Sequence, residues 1–559
     1  MKKHLCAPSS GVWTNLLPKV LFLVAVLLSI RTTYYVTGHF LDSDASSELV
    51  LAKHLSETGQ ILSKDWLYST ELRVLNAQLV YAPMFLLFSD WHLVRFFSAL
   101  TLQAVYILSY GFMLRQAGFS KSDFHVSASL LLLPVSVAYG RIVLYHCHYI
   151  THITLAFFLV GLLLGFVRDT ALPPVKSCIR LGLMLLLSFI GGLGGIRILM
   201  IIHAPMLLLI LLICLAEDLH SSDTSKAAIF SRQNFLLLTV AALALLAAFL
   251  GLKINTGVFA KHYSFRSYDT TALAIPDVSF LSKLVYGFLH QFGFREQISM
   301  LSRSGILSLA SIPAAGFCLY LSCKNALSHR AGKDLKKTIV SLFFLCYWIV
   351  MTACFLITYA PWGYYYPLYY VVCLPWVVPL LLSIPTHFSR SIHPFHFKRI
   401  FSWATVLILF ANGFANTVFF NGAGMYYQIY EGLVFQEKDK AAQLTELADY
   451  LVENGYDAGY GTYWEGNIMT ELSDGKLPMT SVSFNDQEAD NVRLSYYNWL
   501  TSRRQQTAPK EKPFLILQTK DQNLLEMSSQ FQYCTRIYSD AFHCAYSIDD
   551  PDAFADTLK

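Results

Sequence analysis

Residues 236–252, LLLTVAALALLAAFLGL, contain no charged side chain, and their reading decides the class of the fold. With its apolar flanks, this run approaches the ~20 residues that carry a helix across ~30 Å of hydrocarbon. LFLVAVLLSI (21–30) and LLLILLICLA (207–216) belong to stretches of the same kind. Runs this long and this evenly apolar are neither strands nor amphipathic surface helices. Of the 559 residues, 55% are hydrophobic and 14% charged, whereas a soluble globule carries about a quarter charged. The chain reads as a polytopic α-helical membrane protein.

Working outward from that segment, spans are expected at 15–34, 93–114, 124–140, 149–167, 179–195, 197–215, 234–253, 304–323, 338–359, 364–384 and 400–420, about 11 transmembrane helices in all. Alternate connections carry most of the basic residues. Arg115 and Lys121 follow the second span, Arg168, Lys176 and Arg180 the fourth, and Lys226 and Arg232 the sixth. Lys324, Arg330, Lys333, Lys336 and Lys337 follow the eighth, and Arg390, Lys398 and Arg399 the tenth. Together with Lys2 and Lys3 this is the positive-inside pattern with a cytoplasmic N-terminus. The expected organisation is a transmembrane domain over 1–425, external loops at 35–92 and 254–303, and a soluble α/β domain over 430–559 on the extracytoplasmic side.

One segment bears on that parity. VLNAQLVYAPMFLLF (74–88) is apolar but short, follows Glu71 and Arg73, and contains Asn76, Gln78 and Pro83. It is read as an interfacial or re-entrant helix, because a crossing there would turn every later basic loop outward. The N-terminal stretch runs a full span's length without a small-residue cleavage site, so it is read as an uncleaved first helix.

The last 130 residues change character. EKDKAAQLTELADYLVENG (437–455) has helical apolar spacing and stops at Gly455. AGYGTYW (458–464) and LPMTSVSF (477–484) read as strands around a helix, NIMTELSDG (467–475), followed by PFLILQT (513–519), a helix and a hairpin. The hairpin, FQYCTRIYSDAFHCAYS (531–547), is expected to turn near Ser539–Asp540 and to set Cys534 nearly opposite Cys544. A disulfide and two unpaired thiols both fit that placement. No phosphate loop or metal-ligand spacing marks this module, so a binding, docking or shielding role is expected of it.

Chemistry is sought where polar residues sit at the membrane edge, because their cost there asks for a reason. HFLDSDASSELVLAKHLSETGQ (39–60) follows the first span. Asp42 and Asp44 come just after the helix exit, Ser43, Ser46 and Ser47 can cap a new helix, and Glu48 lies one turn beyond Asp44. Such acids suit a general base or a divalent metal site, or serve only as favourable charges at a helix N-terminus.

A first membrane helix followed by Asp-x-Asp and an amphipathic helix resembles the GT-C superfamily of integral-membrane glycosyltransferases, which includes protein O-mannosyltransferases and lipid A aminoarabinose transferases. The two large external loops and the soluble C-terminal module extend the resemblance over most of the chain. It implies transfer of a sugar from a polyprenyl-phosphate carrier to a cell-envelope lipid, glycan or protein acceptor on the outer face, with inversion. It also implies a first-loop acid as base, which here falls on Asp42 or Asp44, with Glu48 as a further catalytic candidate. The serine between the two acids departs from the adjacent pair of many relatives and leaves a divalent metal at Asp42/Asp44 open as the one cofactor in view.

A phosphate leaving group asks for cations. Arg141, His146 and His148 lie in GRIVLYHCHYITH (140–152), and Arg197 follows GGLGG (191–195). Lys261, His262 and Arg266 lie in AKHYSFRSYD (260–269), and Arg295 follows. Arg197, Arg141 and Lys261 are the expected carrier-phosphate ligands, with His146, His262, Arg266 and Glu71 around the substrate. Each has an ordinary reading as well: histidines that only hydrogen-bond, and an Arg141 that snorkels to lipid headgroups. The aromatic run PWGYYYPLYY (361–370), with Tyr365, suits either a sugar platform or an interfacial belt. The expected partners are therefore the carrier-linked donor, membrane lipids and an envelope acceptor, in a plasma membrane. Nothing points to nucleic acid, since the basic residues form no patch. The rival reading is a transporter or flippase for a lipid-linked or small polar substrate. Against it stand the absence of a clear internal repeat and the gathering of charge at one face.

Overall fold

The computed structural model describes residues 10–41, 43–69, 72–167, 174–220, 232–265, 278–295, 298–327, 335–357, 395–420, 426–428, 434–485, 492–508 and 510–558. Among these residues eight helices are long and apolar enough to cross a membrane. They begin with α1 (Ser10–His39), which leads through α2 (Ser43–Thr58) and the short α3 (Gln78–Met84) to α4 (Trp91–Ala117). Seven-residue α3 spans about 10 Å, too little for a crossing, and the 74–88 segment is not among the helices of span length. The expected span 364–384 lies outside the described residues.

The third span departs from its reading as one continuous helix over 124–140. Helix α5 (Lys121–Leu132) ends before Pro134, and α6 (Val137–Tyr139), continued as a π-helical turn over Gly140–Tyr145, leaves at 90°. Proline has no N–H to donate and disfavours helix in the residue before it. The carbonyls freed at the break find a partner, since Asn416 Nδ2 donates to Pro134 O at 2.8 Å and to Val135 O at 3.0 Å. Ser136 Oγ accepts from the Tyr139 N–H at 3.1 Å and starts the new helix. Helix α7 (Ile150–Leu164) follows as a shorter apolar helix of 15 residues.

Beyond the helices, β1 (Trp66–Tyr68), β2 (Ser264–Phe265), β3 (Tyr426–Gln428), β4 (Val434–Gln436), β5 (Ala458–Thr462), β6 (Met479–Asn485), β7 (Arg493–Tyr496), β8 (Thr501–Ser502), β9 (Pro513–Gln518), β10 (Cys534–Ser539) and β11 (His543–Ile548) complete the chain. The C-terminal domain is a six-stranded sheet in the order β10-β11-β9-β5-β6-β7, with β9, β5 and β6 parallel. The expected strands and hairpin are present. The hairpin register corrects the placement of the two cysteines: Ser539 pairs with Cys544 and Cys534 with Ile548. The turn closes over only four residues, so Cys544 sits beside it while Cys534 lies at the far end of the ladder. Both thiols are free, Cys544 fully buried and Cys534 partly so.

A second, three-stranded sheet in the order β2-β1-β8 ties two loops of the membrane domain to the C-terminal domain. Strand β1 of the first loop pairs in parallel with β2 of the second and antiparallel with β8 of the C-terminal domain. Leu41, at the α1–α2 joint, packs in the core of the C-terminal domain with Leu444, Leu447, Met469 and Met479. The acidic stretch is therefore held between two bodies.

Candidate active site around helix α2

Helix α2 begins where the membrane helix ends, and its N-terminal partial positive charge favours an acid in the first turn. Asp44 occupies that turn and is exposed. Its backbone carbonyl accepts from Ser47 Oγ at 2.6 Å, and its carboxylate Oδ1 accepts from the Tyr463 hydroxyl of the C-terminal domain. Ser43 Oγ donates to the Trp464 carbonyl at 2.9 Å. Asp42 lies outside the described residues, as do Glu71, Arg266 and Tyr365.

One turn along, Glu48 is 9% exposed. Asn76 Nδ2 donates to its Oε1 at 3.0 Å, Arg73 Nη1 lies 3.7 Å away and His148 Nδ1 4.0 Å away. Burial acts to raise its pKa, but the hydrogen bond and charge of His148, with Arg73 and Asn76, outweigh burial and hold the carboxyl below its ordinary value. Among the described residues, Glu48 Oε2 and Arg73 Nε are buried without a hydrogen-bond partner.

The 140–152 stretch brings its predicted residues to this point. His146 Nε2 lies 2.8 Å from the Phe40 carbonyl at the end of α1, and the His146 and His148 rings are 5.8 Å apart. Arg197 Nη1 reaches the Tyr149 hydroxyl at 3.4 Å, and His152 lies within electrostatic range of both Arg73 and Arg197. Arg197 owes its place to the glycines before it. Gly195 adopts φ 105°, ψ −176°, a conformation closed to residues with a Cβ. A Cβ on Gly192 would lie 1.9 Å from the Ala248 carbonyl oxygen, and one on Gly251 would lie 2.2 Å from that of Phe189. The Pro174–Gly192 and Arg232–Gly257 helices thus touch backbone to backbone. Asn255, in the last turn of the second, donates to Leu72 O at 2.7 Å and Leu193 O at 2.5 Å, which brings the Arg73 loop beside the Arg197 turn. Arg141 is half-buried on the π-helical turn, while Lys261 and His262 are exposed just before β2.

Sequence reasoning missed the clamp behind this site. Arg95, 1% exposed on α4, forms a two-point ion pair with Glu471 of the C-terminal domain, its Nε donating to Oε1 at 2.6 Å and its Nη2 to Oε2. Ser46 Oγ of α2 donates to the same carboxylate at 2.6 Å. Asp474 Oδ1 accepts from the Trp91 N–H at 2.9 Å, so the C-terminal domain also satisfies an open donor of α4. The available signal was an arginine five residues into an apolar helix. Among the described residues no group of three or more His, Cys, Asp or Glu is placed to hold a metal ion, and Asp42 lies outside them.

No family model and no curated protein matches the chain. Solved structures do. ArnT from Cupriavidus metallidurans, in a crystal structure bound to undecaprenyl phosphate, superposes with a TM-score of 0.55 at 12% identity, covering 96% of this chain and 98% of its own. The same protein in the apo state superposes at 0.53 and 12% identity, covering 94% and 97%. At that identity the likeness concerns the fold, and it covers nearly the whole of both chains: the chain is a multi-pass membrane protein that shares its fold with ArnT.

Proposed function

We propose that the protein is a membrane glycosyltransferase that takes a sugar from a polyprenyl-phosphate carrier and passes it, with inversion, to an envelope lipid, glycan or protein on the outer face of a plasma membrane. The observation that carries this reading is the end-to-end fold likeness to a protein crystallised with undecaprenyl phosphate. The acids and cations gathered around α2 support it. An acceptor hydroxyl attacks the anomeric carbon while Asp44, or Asp42 with Asp44 as partner, takes its proton. The bond from the anomeric carbon to the phosphate oxygen breaks, and the electron pair leaves with the carrier phosphate. Arg197, with Arg141 and Lys261, answers the growing negative charge, and the buried Glu48 supports the base from one turn along. A divalent metal between Asp42 and Asp44 would lower the same barrier, and activity after chelation tests that part.

The test is full-length protein in nanodiscs with undecaprenyl-phosphate-linked hexoses and pentoses, read by release of the free carrier. Asp42→Asn or Asp44→Asn should abolish release while the protein still inserts. Full activity in both variants would remove the assignment. Localisation is tested separately: a reporter fused after residue 430 should prove extracytoplasmic.

A further inference from the structure

Asp44 does not stand on a rim built by the membrane domain alone. The turn that ends β5 and opens the Tyr463–Leu472 helix lies against the first turn of α2. It lies at the carboxyl end of β5, beside the boundary where the chain passes from β6 on one side of β5 to β9 on the other. In open α/β sheets this edge is where ligands are held. Here that edge brings the Tyr463 hydroxyl to the Asp44 carboxylate and the Trp464 carbonyl to Ser43. Tyr463 is 7% exposed and its hydroxyl is spent on the Asp44 carboxylate. Trp464 is 59% exposed, so a large part of its indole surface is open to a ligand. The Tyr463 ring centre is 5.5 Å from that of Trp464 and 5.8 Å from that of Tyr497.

We propose that Trp464 is the stacking platform of an acceptor-sugar subsite that the C-terminal domain adds to the reaction centre, with Tyr463 as the positioning residue for Asp44. The inference rests on the function proposed above. The order of groups along α2 assigns the subsite to the acceptor rather than the donor. Arg73 and His148 approach Glu48, one turn further on, and the Tyr463 hydroxyl, with the Trp464 ring beside its own, meets Asp44. In an inverting displacement the nucleophile enters opposite the leaving phosphate. The wall across the base from the cations is thus the acceptor's. An indole face suits the C–H face of a pyranose, which offers apolar area on one side and hydroxyls at its rim.

The probes are methyl glycosides of mannose, glucosamine and arabinose, tested by saturation-transfer NMR on the full-length protein in nanodiscs. The wild type should give saturation on one ring face of at least one glycoside. Trp464→Ala should lose at least five-fold of that signal and Trp464→Phe should keep most of it. Asp44→Asn should keep the signal while losing carrier release. Tyr463→Phe should lower kcat about tenfold with the donor KM unchanged, which a general loss of structure would not do. No saturation in the wild type, equal saturation in Trp464→Ala, or a Trp464→Ala variant that only incorporates less well into nanodiscs, as a lipid anchor would, each overturns the subsite. Saturation seen only with the carrier-linked donor, and equally lost in Trp464→Ala, overturns its assignment to the acceptor. In all of these cases the glycosyltransferase reading is judged separately, by wild-type carrier release.

Discussion

Asp44 and Glu48 lie one turn apart on the same helix and meet opposite surroundings. Asp44 is exposed at the helix N-terminus, where its carboxylate accepts from a tyrosine of the C-terminal domain. Glu48 is buried against the membrane domain with an arginine, a histidine and an amide around it. A base must be reachable and must find its proton at a substrate, so the exposed acid suits chemistry. A buried carboxylate encircled by donors suits holding a loop, here the Arg73–Asn76 segment. Position along a helix therefore separates two roles that composition leaves equivalent.

The largest effect that could break this comparison is on turnover. Asp44→Asn should lower carrier release by at least about 100-fold, whereas Glu48→Gln should retain measurable transfer. Equal loss in both, with insertion intact, would make the two acids one catalytic unit. Next comes the clamp that holds α2 between the domains. Arg95→Ala or Glu471→Ala strands a buried charge and should cost about 3–5 kcal/mol, seen as a lower unfolding midpoint in detergent. The double variant Arg95→Met/Glu471→Met should cost less than either single change, since no charge is left unpaired. A smaller effect is expected of Arg197→Ala, about 1.5–3 kcal/mol if it bonds the carrier phosphate, measured as a rise in the donor KM.

The smallest effect is a pH dependence. The Glu48 carboxyl is held below 4.5, its value in an unfolded chain. Its contribution to stability is thus complete above pH 4.5 and is lost as the pH falls through the lower folded value. A thermal midpoint that drops on acidification below pH 4.5 in the wild type but less in Glu48→Gln would confirm the sign.

The α2 acids, the Arg197 turn and the histidine stretch were legible because each is local: a cap, a glycine break, a polar run beside apolar spans. The break at Pro134 was as local, yet the 124–140 segment reads as one span because apolar content continues through the proline. Tyr463, Trp464, Glu471 and Arg95 were not legible as parts of the site. Glu471 meets Ser46 across 425 residues of chain, and no periodicity carries information over that distance. Cys534 and Cys544 failed for a subtler reason, a turn centred on Ala541–Phe542 in place of Ser539–Asp540, which slides the register and parts the thiols.

What the sequence determined by itself is the solvent of each segment. Apolar runs of span length have no stable home but the bilayer, and the polar tail folds as an α/β sheet because its apolar residues alternate and cycle accordingly. Only the tertiary structure decided which carboxylate is open and which is sealed, and that a domain 400 residues away supplies the wall beside Asp44. Burial and hydrogen-bond partners are set by whatever packs against a side chain, and here that neighbour comes from the far end of the chain.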